Sequence, residues 1–255
     1  MPRPVAMVTG PTSGIGREFA RQLAAKGHDL VLVSRDADRL AEVAAELRER
    51  YDAASEIIAA DLADRTDLAR VEARLAGSER PVDLLVNNAG TGQKRPFLEN
   101  SVEEEQRMLD VLVTAVLRLS HAALVPMVAR GSGAIINVSS LAGYLPRGTY
   151  SAAKAYVTSL SEWADLTYRD SGVRVMALLP GLTRTEFHQR LGVNRQAPRW
   201  MWLVAERVVR EALTDLDKGK RISVPTRRYK MLAGVSKYTR GSLGSLRRYL
   251  RLSRK

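Results

Sequence analysis

A tyrosine and a lysine four residues apart, in Tyr150-Ser151-Ala152-Ala153-Lys154, sit in a segment of helical period, which places both side chains on one helix face. A neighbouring ammonium favours the phenolate and lowers a tyrosine pKa from about 10 toward the range of a general acid/base. In isolation such a pair is more often a surface contact. Ser140 lies ten positions upstream of Tyr150, at the end of an apolar run and before Leu141-Ala142-Gly143. There a hydroxyl can hydrogen-bond a carbonyl or a developing alkoxide, or it can cap a turn. Ser140, Tyr150 and Lys154 are the candidate catalytic residues, and their chemistry would be proton transfer at an oxygen.

A second constellation would hold phosphate. Thr9-Gly10-Pro11-Thr12-Ser13-Gly14-Ile15-Gly16-Arg17 joins an apolar strand to the periodic helix of Phe19, Ala20, Leu23 and Ala24. Glycines at such a junction let backbone N–H groups approach a pyrophosphate, whose charge then rests on the positive end of the helix. The spacing is Gly-x-x-x-Gly-x-Gly, and Gly10, Thr12, Ser13, Gly14, Ile15 and Gly16 are the candidate contacts. About 20 residues beyond the middle glycine, where an NAD site offers an acid to the ribose, this chain reads Ser34-Arg35. Arg35 can pair with a 2′-phosphate, and Ser13 and Ser34 can donate to it. Asp36 would oppose a phosphate unless it caps the following helix. The electrostatics favour NADP(H) over NAD(H).

These residues need a scaffold, and the sequence supplies one. Short apolar strands at Val5-Thr9, Asp29-Ser34, Ser55-Ala60, Val82-Val86, Ala134-Ser139, Val173-Leu179 and Arg221-Val224 alternate with helical periods. The helices fall at about 14–27, 36–51, 64–77, 101–130, 150–171 and 204–217. Strands apolar throughout, such as Leu30-Val31-Leu32-Val33, belong to a parallel sheet covered on both faces. The fold class is α/β: a Rossmann-like doubly wound parallel sheet with helices on both faces, residues 1–225, followed by a basic C-terminal extension, 226–255.

Composition narrows the chemistry further. The chain has 255 residues and 45% hydrophobic side chains, enough for a large core and too apolar for intrinsic disorder. It has no cysteine, and its three histidines, His28, His121 and His188, are far apart, so no metal site is expected. The net charge of +12 is uneven: residues 218–255 hold 13 of the 40 Lys+Arg and none of the 28 acids, leaving the rest of the chain near neutral. Basicity therefore argues about the tail alone, and no nucleic-acid-reading module accompanies it. The N-terminal apolar run is too short for a signal peptide, and no stretch of about 18 uninterrupted apolar residues occurs, so a cytoplasmic protein with no membrane span is expected.

Asp61-Leu62 after the third strand, Asn87-Asn88-Ala89-Gly90 after the fourth, Ser139-Ser140 after the fifth, Tyr150-x-x-x-Lys154, and Pro180-Gly181 after the sixth follow the glycine turn in order. Together these motifs resemble the short-chain dehydrogenase/reductase family. The resemblance implies an NADP(H)-dependent carbonyl reductase or alcohol dehydrogenase, in which Ser140 orients the substrate, Tyr150 transfers the proton, and Lys154 holds the ribose while assisting the tyrosine. It places Asp61 and Leu62 near the adenine, and Asn88, Ala89 and Gly90 along the cofactor. Pro180, Gly181, Thr183 and Thr185 would lie at the nicotinamide end. It also implies a homo-oligomer, dimer or tetramer, through the helices at about 101–130 and 150–171.

The chain departs from the family pattern twice. Where the family has a catalytic Asn, it reads Asp110-Val111-Leu112-Val113, and Leu112 cannot hold the water that links the lysine to solvent. The link from Ser140 to Tyr150 is also a few residues short, which the turn Pro146-Arg147-Gly148 can absorb. Leu112 keeps open a nucleotide-binding protein with weak or no catalysis, recruited to a membrane surface by its tail.

Specificity would lie in a lid over about 182–203, where His188, Arg199, Trp200, Met201, Trp202 and Leu203 fall. Large apolar side chains there fit a hydrophobic small-molecule substrate, lipid, acyl or steroid-like, or they only pack the lid. In the extension, Tyr229, Met231, Leu232, Val235, Tyr238, Leu243, Leu246, Tyr249, Leu250 and Leu252 alternate with Lys and Arg. That pattern fits peripheral contact with an anionic membrane, or a solvated or self-packed segment, with Gly241 and Gly244 interrupting a helix.

Overall fold

The structure, a computed structural model, describes residues 2–186 and 197–238. Seven strands, β1 (Val5–Thr9), β2 (Asp29–Ser34), β3 (Ser55–Ala59), β4 (Val82–Asn87), β5 (Gly133–Val138), β6 (Val173–Leu178) and the short β9 (Ile222–Ser223), form one sheet in the order β3-β2-β1-β4-β5-β6-β9. Every pairing is parallel. The order reverses direction at β1 and β4, so their carboxyl ends open a crevice.

Alternation along each strand divides the core into two layers. Ala6, Val8, Leu30, Leu32 and Ile136 face helices α1 (Gly14–Ala25), α2 (Ala37–Tyr51) and α7 (Ala205–Asp217) through Phe19, Leu23, Leu40, Leu47, Val208 and Leu213. Met7, Val31, Val33, Leu85 and Ile135 face α3 (Arg65–Ala76), α5 (Ala115–Ala129) and α6 (Gly148–Tyr168) through Leu68, Val71, Leu119, Ala123 and Ala164. Burying both strand faces explains the uninterrupted apolar runs. Asp36 and Asp64 cap α2 and α3 with their carboxylates, and Ser101 with Glu104 forms a reciprocal capping box at α4 (Val102–Leu109).

The helix expected over 101–130 is not uniform. Asp110–Thr114 forms a π turn between α4 and α5, an insertion that shifts the register of the side chains around it. The run Val102–Ala129 is long and apolar enough by composition to cross a membrane. Its Ala115, Leu119, Ala123 and Met127 are buried in the core against the sheet.

Beyond β6 the chain makes a small second sheet, β7 (Thr183–Arg184) beside β8 (Leu203–Val204), which periodicity did not foretell. The basic extension begins with α8 (Arg227–Tyr238), whose Tyr229 joins the core cluster. The division drawn at residue 225 therefore falls inside continuous packing. Phe187 and His188, and the apolar tail residues from Leu243 to Leu252, lie outside the described residues.

Candidate active site

The first βα turn is built for close backbone approach. Gly10 and Gly14 have φ of 67° and 54°, a left-handed region that favours glycine. A Cβ on Gly16 would stand 2.1 Å from the Gly10 oxygen and 2.3 Å from Asn88 Nδ2, so α1 can approach the turn only through glycine. Asn88 reinforces this contact, donating from Nδ2 to Thr9 O at 2.9 Å and Gly10 O at 3.1 Å. Thr9 Oγ1 accepts from the amides of Asn88 and Ala89, both at 2.9 Å. Asn88 and Ala89 thus lock the turn. No acidic residue occupies the first turn of α1, and the Ser13 hydroxyl makes no cap bond. These features fit a dinucleotide pyrophosphate.

At the end of β2, Ser34 is half-buried and Arg35 exposed. Asp36 does cap α2, accepting from the Arg39 amide at 3.1 Å. The Arg39 side chain turns back to the glycine loop, donating to Thr12 O at 3.1 Å and pairing with Glu186 at 3.4 Å. Sequence reasoning missed Arg39. Its only signal was its place three residues beyond the helix cap Asp36, in the first turn of α2. Asp61 is held by an ion pair with Arg107 of α4, while its other oxygen accepts from the Ala63 amide at 3.0 Å. Leu62 beside it is buried. Arg107, like Arg39, was not singled out from the sequence.

The three candidate catalytic residues come from adjoining elements. Ser140 follows β5 and caps a short turn, its Oγ accepting from the Ala142 amide at 3.1 Å, so the capping role weighed from sequence is real. The hydroxyl hydrogen remains a donor. Tyr150 lies in the first turn of α6 and Lys154 one turn on, with Nζ 5.9 Å from the Tyr150 ring centroid. Lys154 is buried and donates to Val138 O at 2.7 Å. Burial alone brings its pKa down to about 8.

A buried polar network fixes this arrangement. Asn87 Nδ2 donates to Asn137 Oδ1 at 2.8 Å across β4 and β5, and Asn137 Nδ2 donates to Ser161 Oγ of α6 at 3.0 Å. Ser139 Oγ donates to the Lys154 carbonyl at 2.7 Å. The two asparagines and Ser139 therefore set the height of α6 against β5, and hence the position of Lys154. Leu112, in the π turn, is fully buried with Met108 and Ala153, and Tyr150 packs against this cluster. Its Cδ2 would lie 3.4 Å from a Cβ on Gly90. An apolar wall thus stands where a polar side chain would hold water.

Pro180 and Gly181 sit beyond β6, with Pro180 O accepting from the Leu141 amide at 3.2 Å. Thr183 is buried in β7, its hydroxyl donating to Gly181 O at 3.1 Å. A Cβ on Gly14 would lie 2.9 Å from the Thr185 side chain, so Thr185 faces the glycine turn across the crevice. Of the two tryptophans before β8, Trp200 is 56% exposed, and Trp202 donates from Nε1 to Ala197 O at 3.2 Å.

The short chain dehydrogenase family profile matches residues 4–196. The chain belongs to the short-chain dehydrogenase/reductase family. Human very-long-chain 3-oxoacyl-CoA reductase is 35% identical over 191 residues, covering 71% of this chain and 60% of the human protein. The chain thus spans less than two thirds of that relative's length. A Sphingobium yanoikuyae short-chain dehydrogenase in complex with NADPH is 36% identical, with a TM-score of 0.85 over 94% of this chain and 96% of that one. The bulky-bulky ketone specific alcohol dehydrogenase from Comamonas testosteroni is 31% identical, with a TM-score of 0.80 over 94% of both chains. The short-chain dehydrogenase/reductase assignment accounts for the order of all the motifs along the crevice.

Proposed function

We propose that this enzyme interconverts a ketone and an alcohol on a bulky hydrophobic substrate, using NADP(H) in preference to NAD(H). The observation that carries the chemistry is Lys154, buried one helical turn from Tyr150 with its ammonium 5.9 Å from the ring. A bound nicotinamide supplies or accepts the hydride. Ser140 donates its hydroxyl hydrogen to the substrate oxygen and orients it. Tyr150 gives its phenolic proton to that oxygen during reduction and takes it back during oxidation. The Lys154 cation stabilises negative charge on the phenol oxygen and holds the ribose.

Gly10, Thr12, Ser13, Gly14, Ile15 and Gly16 would cradle the pyrophosphate, and Asp61 and Leu62 the adenine. Asn88, Ala89 and Gly90 line the crevice, with Pro180, Gly181, Thr183 and Thr185 at the nicotinamide end. Preference for NADP(H) is supported by Ser34 and Arg35 at the end of β2, by Arg39 in the first turn of α2 and by Asp36 being used as a cap. A bulky apolar substrate is supported by exposed Trp200 in the lid and by exposed Phe97 and Leu98 in the loop after β4. The similar proteins named for very-long-chain 3-oxoacyl-CoA and for bulky ketones point the same way.

The test is a screen of bulky ketones and 3-oxoacyl thioesters with NADPH and NADH, followed by nicotinamide absorbance. Turnover with NADPH at a higher kcat/KM than with NADH is expected. Clear NADPH binding without turnover of any of them would favour the second reading, a nucleotide-binding protein of little activity, which the apolar wall at Leu112 motivates.

Exposed Leu117 and Val125 on α5 and Tyr156, Trp163 and Leu166 on α6 support a homo-oligomer through these helices. The basic residues of 226–255 support peripheral contact with anionic membranes. Light scattering, and co-sedimentation of the full chain with anionic liposomes against neutral ones, test the two expectations.

A further inference from the structure

Tyr229 belongs by sequence to the basic extension, yet its phenol is bonded to both arms of the substrate lid. Its hydroxyl donates to Met201 O at 2.7 Å and accepts from the Leu182 amide at 3.2 Å. Residue 182 enters β7 and residue 201 precedes β8, and the Leu203 amide donates to Leu182 O at 2.8 Å. One oxygen thus closes a ring of hydrogen bonds around the base of the lid. The aromatic ring lies on Gly181, where a Cβ would come within 2.2 Å of Tyr229 Cζ. Only glycine at 181 admits it, directly after the strand whose end meets the nicotinamide in the proposed reading. Burial raises the Tyr229 pKa, which keeps the hydroxyl neutral and able to donate and accept at once.

The root of α8 is held as firmly. Thr226 is buried at φ of 70°, a conformation costly for a β-branched residue, and its amide donates to Glu211 of α7 at 2.8 Å. The Arg228 guanidinium donates to Trp200 O, beside the Tyr229 contact at Met201. Backbone strain, a carboxylate cap and two side-chain contacts all serve one placement, with Tyr229 against Gly181.

We propose that Tyr229 is a positioning residue for the lid, so that the first helix of the basic extension sets the shape of the substrate site. This rests on the reductase reading, with the described lid residues 182–186 and 197–203 beside the substrate. Tyr229 touches no reacting atom. It fixes where Leu182, Thr183 and Met201 stand, and substrate binding follows from that.

Tyr229→Phe in the full chain keeps the ring on Gly181 and removes both hydrogen bonds. The expected result is a rise of about tenfold in KM for a turned-over ketone, with kcat within about twofold. Hydrogen exchange at the Leu182 and Leu203 amides should quicken by about tenfold, with the α1 and β1 amides unchanged. Gly181→Ala, which puts a methyl where the Tyr229 ring lies, should quicken exchange at the same two amides, and if Tyr229→Phe folds poorly that exchange alone decides the matter, since Gly181 itself belongs to the nicotinamide end of the site. Unchanged KM and unchanged lid exchange in these variants would overturn the proposal. Hydrogen exchange needs no substrate, so an absence of turnover would sink the reductase reading while the lid amides still test Tyr229.

Discussion

Lys154 and Val138 are joined by a 2.7 Å hydrogen bond from the buried ammonium to a main-chain oxygen. The carbonyl at the end of β5 holds the cation beside Tyr150, at the height set by Ser139 and the paired asparagines. A charge kept in so dry a place weakens the fold that keeps it.

Replacing that charge should therefore stabilise the protein while ending catalysis. Lys154 is charged below its folded pKa of about 8 and, in the unfolded chain, up to 10.5, so folding pays a desolvation cost below pH 8 that fades as pH rises toward 10.5. Without added nucleotide, Lys154→Met should gain roughly 2–3 kcal/mol at pH 7, once the lost bond to Val138 is set against the relieved burial. Urea unfolding at pH 7 and pH 10 checks this, with the gap between variant and parent narrowing at the higher pH.

Tyr150→Phe removes the transferable proton and leaves the ring packed on Leu112 and Ala153. A loss in kcat of about a thousandfold is expected, with the dissociation constant for NADPH unchanged within about twofold. Retained turnover would refute the proton-transfer role.

Arg35→Ala should raise KM for NADPH by about tenfold and leave KM for NADH nearly unchanged, because only the former cofactor carries a 2′-phosphate. Steady-state kinetics with both cofactors decide it, and equal losses would remove the basis for the preference.

Leu112→Asn puts an amide into a cluster of Met108, Ala153 and the Tyr150 ring. It should cost about 2 kcal/mol in urea unfolding, since it puts a polar amide in the place of a fully buried leucine. The kcat should stay within about threefold, because Lys154 already finds its acceptor at Val138. A large gain in kcat would show that the apolar wall limits turnover.

A Cβ at Gly16 meets the Gly10 oxygen at 2.1 Å, so Gly16→Ala must push α1 off the glycine turn. Binding of NADPH and NADH should fall together by more than about tenfold, with a stability loss of about 2 kcal/mol. Cofactor fluorescence titration and thermal melts read the two effects.

Features that depend on neighbours in the chain were legible from the sequence. The glycine turn between strand and helix, the four-residue step from Tyr150 to Lys154, the cap at Asp36 and the apolar strands all follow from local spacing, and the structure shows them in place. The placement of Arg39 at Thr12, of Arg107 at Asp61 and of Tyr229 at Gly181 spans 27, 46 and 48 positions, and no periodic signal marks such partners. The π turn was hidden too, because Asp110-Val111-Leu112-Val113-Thr114 carries the same apolar pattern as an uninterrupted helix.

The sequence by itself determined the fold class, the order of the strands' motifs, and the residue types able to bind a dinucleotide and move a proton, because turns and helix faces are short-range geometry. Tertiary structure decided the rest. Packing α6 on β5 buries Lys154 and lowers its pKa, the π turn directs Leu112 toward Gly90, and the crossing of α8 over Gly181 bonds Tyr229 of the basic tail to Leu182 and Met201. Those outcomes come from close packing between distant segments, where the space left by one side chain fixes what another can do.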